Sequence, residues 1–140
     1  MEVSQQRRDL ERERSATIAR IDAASADLAA IMSSSLDSNA DDEHDPEGAT
    51  IAFERAQVAA TLEEARVELG ELDLALERLE AGTYGVCAGC GGDIALARLT
   101  ALPTARSCIA CASVDATALS GLTRRVRGSR TVPQARRKVR

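Results

Sequence analysis

A chain of 140 residues with one Phe, one Tyr and no Trp lacks the side chains of a thick globular core, although 44% of it is hydrophobic. Its net charge of −4 splits into a body with ten bases against 22 acids, net −12, and a basic segment at 124–140. No apolar run approaches the roughly 20 residues of a membrane span, and no signal peptide precedes the polar start MEVSQQRRDLERERS. A cytoplasmic protein without membrane attachment is expected. There thiols stay reduced, and four cysteines point to metal before disulfides.

Ala, Leu, Glu and Arg dominate, the composition of long helices and coiled coils. In the first segment, positions spaced alternately four and three apart are Val3, Arg7, Leu10, Arg14, Thr17, Ile21, Ala24, Leu28 and Ile31. Six of these nine are apolar, and the exceptions fall in the N-terminal half. The second segment repeats the spacing more cleanly at Ile51, Arg55, Val58, Leu62, Ala65, Leu69, Leu72, Leu76 and Leu79. A repeat of 3.5 residues keeps one stripe facing a partner helix. Two such segments of about 30 residues in one chain predict an antiparallel hairpin over 1–82, about 45 Å long. Arg7, Arg14 and Arg55 at seam positions either discourage self-association or mark a frayed end or a misplaced register; a monomer is expected in any bound state.

Between the segments, residues 33–48 should form the tip. Ser, Asn and Asp there favour turns, and D41-D-E-H-D-P-E-G48 holds five carboxylates in eight residues. Asp45 is placed to cap a helix, Pro46 suits its first position, and Glu47 complements the positive end of the dipole. Capping accounts for one or two acids. Asp41, Asp42 and Glu43 are surplus, and fit either a hydrated loop or a charged probe at the end of a rod.

Beyond Ala81-Gly82, a helix stop, come Cys87-x2-Cys90 and, seventeen residues later, Cys108-x2-Cys111. Two residues between thiols let both sulfurs of a tight knuckle reach one ion. Two knuckles supply the four thiolates of a closed tetrahedral Zn2+ site. One structural zinc ion is expected, held by Cys87, Cys90, Cys108 and Cys111 and replacing a core too small to fold alone. Gly89, Gly91 and Gly92 give the first knuckle freedom to turn, and the second should open directly into a helix over 112–123. The fold class is therefore all-α: an antiparallel coiled-coil hairpin, a small four-cysteine zinc finger over 83–123 with a C-terminal helix, and a disordered basic tail.

The run Tyr84-Gly85-x-Cys87-x-x-Cys90-Gly91, with Ile94, Arg98-Leu99-x-Ala101-x-Pro103-x-Ala105 and Cys108-x-x-Cys111, resembles the DksA/TraR family of C4 zinc-finger transcription factors. The resemblance covers residues 83–112 closely, and the hairpin before them agrees in order and length. It implies a regulator that binds RNA polymerase, as core or holoenzyme, without reading a promoter sequence. It also implies a coiled coil entering the polymerase secondary channel, with an acidic tip near the catalytic centre. The family's tip pattern, Asp-x-x-Asp-x-Ala, aligns with Asp42 and Asp45 and places Glu47 where Ala stands. Aligned instead on the family's Asp-Pro, Asp45 is kept and Gly48 takes the second acid's place. Asp42, Asp45 and Glu47 are the expected residues facing the polymerase active site, Asp45 first.

The tail carries Arg124, Arg125, Arg127, Arg130, Arg136, Arg137, Lys138 and Arg140, without acids or aromatics. It reads either as a solubilising segment resting loosely on the acidic rod or as a nonspecific contact with DNA or RNA phosphates. The competing function, a small zinc-finger nucleic-acid-binding protein acting through this tail, sits poorly with the acidic body. A thiol redox sensor is a third class. No enzyme is expected: no nucleophile–base set is visible, and four thiolates fill the zinc shell.

Overall fold

The computed structural model describes residues 2–37 and 46–115. Helix α1 spans Val3–Asp37, α2 spans Pro46–Glu80, and a short α3 spans Leu96–Ala101. Residues 109–115 are also helical, and among the described residues the only extended pairing is one isolated bridge between Val86 and Asp93. The all-α reading holds. No helix among the described residues is long and apolar enough to cross a membrane.

Helices α1 and α2 have 35 residues each, making a rod about 50 Å long, slightly longer than the spacing implied. They pack along their heptad stripes. Leu10, Thr17 and Ala24 of α1 are buried, as are Leu62, Ala65, Leu72, Ala75 and Leu79 of α2. Toward the tip the seam is only half-buried, at Leu28, Ile31, Ile51 and Val58. The stripe of α2 differs from the expected one at Ala75, which is fully enclosed, and at Arg55, which is exposed.

The pairing is antiparallel, and the seam arginines show it. Arg7 reaches Glu80 at 3.3 Å, and Arg14 reaches Asp73 at 2.6 Å. Seven residues forward on α1 thus match seven back on α2. These positions break the apolar pattern because their side chains run out of the seam to acids on the neighbouring helix. Such half-exposed pairs are worth about 0–1 kcal/mol each. Arg14→Ala should accordingly lower stability in urea melts by no more than about 1 kcal/mol, with a smaller loss at 1 M salt. A loss that ignores salt would mean that the arginine's methylenes, not its charge, hold the joint.

The turn is shorter than the 33–48 expected. Helix α1 continues through 33–37, with Ser34 donating its hydroxyl back to the Ala30 carbonyl at 3.0 Å, a bond that lets serine remain helical. Pro46 opens α2, as the sequence indicates. Asp42 and Asp45 lie outside the described residues, and so do the Glu47 side chain, residues 116–123 of the expected C-terminal helix and the basic tail.

At its other end α2 stops in a Schellman turn. The Thr83 amide donates to Arg78 O at 2.9 Å and the Gly82 amide to Leu79 O at 3.3 Å, with Gly82 at φ +74°. A side chain at position 82 would strain that left-handed backbone. The turn sends the chain sideways, and the cysteine module sits at the base of the rod.

Candidate metal centre

The first knuckle is built on main-chain bonds. The Cys87 amide donates to Gly92 O at 2.8 Å, and the Gly91 amide returns to Cys87 O at 2.9 Å. Beside it the Ile94 amide donates to Gly85 O at 2.7 Å, closing the strand-like pair at Val86 and Asp93. The second knuckle is tied to the first through the Ala88 amide, which donates to Arg106 O at 2.8 Å. Helical residues begin at 109, inside this knuckle and three residues before the expected start.

All four expected ligands come together. The sulfurs of Cys87, Cys90, Cys108 and Cys111 lie within 4.8 Å of one another, and the cysteines are unpaired thiols. Cys90 and Cys108 Sγ are 3.9 Å apart. A tetrahedron with zinc–sulfur bonds of about 2.3 Å has edges of about 3.8 Å, so the cage has the size of a zinc site. Gly89 shows how tightly it is drawn: a Cβ there would stand 2.9 Å from Cys111 Sγ. By contrast, Gly92 has an ordinary φ and only an ordinary contact, so the freedom of glycine is not required of it.

Amides aim at the sulfur that is buried. The Cys108 amide donates to Cys87 Sγ at 3.2 Å. It is the largest reason that the Cys87 thiol is lowered to about 6, ahead of the Cys90 amide and with help from Gly89. Cys111 is pushed up to about 12, first by the neighbouring Cys108 sulfur. Four thiolates this close are stable together only around a cation. The donor set therefore fits one structural Zn2+ with a full protein shell.

Sequence reasoning found the ligands and missed the clamp around them. Helix α3 fills the space between the knuckles, its Leu99 packed with Ile94, Ala105 and Cys87. The loop after α3 is held carbonyl by carbonyl. Tyr84 Oη donates to Pro103 O at 2.8 Å, an Arg78 Nη to Thr104 O at 3.2 Å and Arg98 Nε to Ser107 O at 2.9 Å. Burial raises the Tyr84 pKa, keeping its hydroxyl a donor, and burial lowers that of Arg78, aided by nearby Arg106. Tyr84 also packs on both apolar clusters, the finger's and that of Leu10, Leu72, Ala75 and Leu79 in the rod. Finger and rod meet on that ring.

The family profile "Prokaryotic dksA/traR C4-type zinc finger" matches residues 82–115. The whole fold, rod included, resembles the solved structure of transcription factor DksA2 from Pseudomonas aeruginosa. That match has a TM-score of 0.70 and 28% identity, and covers 84% of this chain and 85% of the other. Residues 82–115 are a DksA/TraR C4-type zinc finger. An uncharacterised protein of Aquifex aeolicus is 52% identical over 44 residues, 31% of this chain and 30% of that one. YlyA of Bacillus subtilis is 41% identical over 56 residues, 40% of this chain and 45% of its own. The chain thus spans less than half the length of these curated relatives.

Proposed function

We propose that this protein is a transcription regulator rather than an enzyme, binding RNA polymerase and carrying the acids of its tip into the polymerase secondary channel. The observation that supports this best is the rod itself. It is two helices wide and about 50 Å long, fixed at one end to a compact zinc module, with its only connection at the far end. Such an object reaches a catalytic centre through a narrow opening. The DksA2 structure, named a transcription factor, shares this architecture over most of both chains.

Asp42 and Asp45, with Glu47, are the residues that would act there. A polymerase centre works with Mg2+, which takes oxygen ligands, and carboxylates brought near it alter the local field. The finger and the base of the rod would dock outside the channel. No promoter reading is needed, because the partner is the polymerase.

The test is retention of purified core polymerase by the immobilised, zinc-loaded protein, without DNA, using wild type and Asp45→Ala. Both should retain core enzyme to a similar degree, while Asp45→Ala should lose most of its effect on transcription from a supercoiled template. Retention only when nucleic acid is added would overturn the proposal in favour of a nucleic-acid-binding zinc protein.

A further inference from the structure

Thr17 is the one buried polar residue among the described residues, with a relative exposure of 0%, and it lies in the middle of the apolar seam. Around it is a polar layer that no zinc ligand touches. An Arg20 Nη donates to Thr17 Oγ1 at 2.9 Å and pairs with Glu68 Oε2 of α2 at 2.6 Å. The Thr17 hydroxyl is itself directed at Glu68 Oε1, at 3.5 Å. Two residues of α1 and one of α2 thus form a closed triangle across the helix pair.

We infer that this layer is the register lock of the hairpin: it excludes pairings of α1 on α2 slipped by one heptad. Heptad seams are degenerate under a shift of seven, because apolar positions then fall again on apolar positions. The surface ion pairs discriminate only in part. If α1 slid so that Arg7 took the place of Arg14, Arg7 would again meet an acid, Asp73. Arg14 would face Arg66 on exposed surface, where such contacts count for little. The buried layer does discriminate. A slip of seven removes Thr17 from Arg20's partner Glu68 and puts Leu10 or Ala24 beside that carboxylate instead. A polar residue at a single seam position is the attested device for specifying coiled-coil register. One heptad is about 10 Å along the rod, so a slipped pairing would leave the ends of the two helices, Asp37 and Pro46, out of step by that distance. This role is intramolecular and holds whatever the partner is.

The test uses the full, zinc-loaded chain with Thr17→Val, which keeps shape and removes the hydroxyl, and Thr17→Ser, which keeps the hydroxyl. Methyl NOEs from Leu10 report the register, since in the native pairing it clusters with Leu72 and Leu79. Wild type and Thr17→Ser should each give one set of Leu10 signals with NOEs to Leu79. Thr17→Val should add a second set with NOEs to Ala65 and none to Leu79, at a melting temperature no lower than that of wild type. A single native set in Thr17→Val would overturn the proposal. So would a lower melting temperature or lost helicity in that variant alone, because the layer would then serve stability and not register.

Discussion

Stripping the metal with a strong chelator should unfold residues 83–115 while α1 and α2 keep most of their helicity. The finger's own apolar cluster is four buried residues, one of them the ligand Cys87, with Tyr84 and two more cysteines at its edge. That area cannot offset the backbone entropy of ordering some thirty residues, at about 1–2 kcal/mol each. Binding of structural Zn2+ contributes about 10–16 kcal/mol in small modules of this kind, far more than so small a cluster supplies. The rod has a separate seam, buried from Leu10 to Ala24 and from Leu62 to Leu79, and needs no metal to form it. Amide exchange before and after chelation separates the two. Protection should vanish at the Cys87 and Cys108 knuckles and persist at Leu62 and Leu72. Finger amides that stay protected in the stripped protein would show that packing, not the ion, holds the module.

The next largest effect is expected at Tyr84. Its ring joins the two apolar clusters, and its hydroxyl holds the Pro103 carbonyl. Removing a buried aromatic costs about 3–5 kcal/mol, and this one is half-buried, so Tyr84→Ala should cost about 2–3 kcal/mol in urea melts of the zinc-loaded protein. Tyr84→Phe keeps the ring and strands one carbonyl, at about 1 kcal/mol. Position as well as stability should change. With the ring gone, the finger keeps its zinc and stays tethered through the Schellman turn, but its orientation relative to the rod is no longer fixed. Equal stability of the Ala and Phe variants would place the coupling in the hydroxyl alone and remove the ring from its role as a joint.

The parts legible in the sequence were those that repeat or those fixed by chemistry. A seam recurring every seven residues announces itself, and two CxxC pairs allow little besides a cage. Arg7, Arg14 and Thr17 interrupted the seam, and in one chain without a partner they read as weakness. Their acids sit 51 to 73 residues away, on α2, so no local pattern could announce them. Helix α3 has six residues, too short for any periodicity, although Ala-Leu-Ala-Arg-Leu-Thr-Ala ending before Pro103 was a usable sign. Ser33, Ser34 and Ser35 read as loop because serine competes for backbone bonds. In the helix the competition turns inward, and Ser34 spends its hydroxyl on the turn below. The carbonyl clamp of Arg78, Tyr84 and Arg98 was illegible for another reason: its acceptors are main-chain atoms, which carry no residue identity.

The rod is not uniform along its length. Its lower half, beside the finger, holds the fully enclosed seam positions and the cross-helix ion pairs, and its upper half is packed more loosely. Mechanically this is a cantilever, clamped at the root and most compliant where the load is met. Such a lever can be aimed stiffly from below while its free end yields to whatever surface it touches, giving reach and tolerance from a single pair of helices.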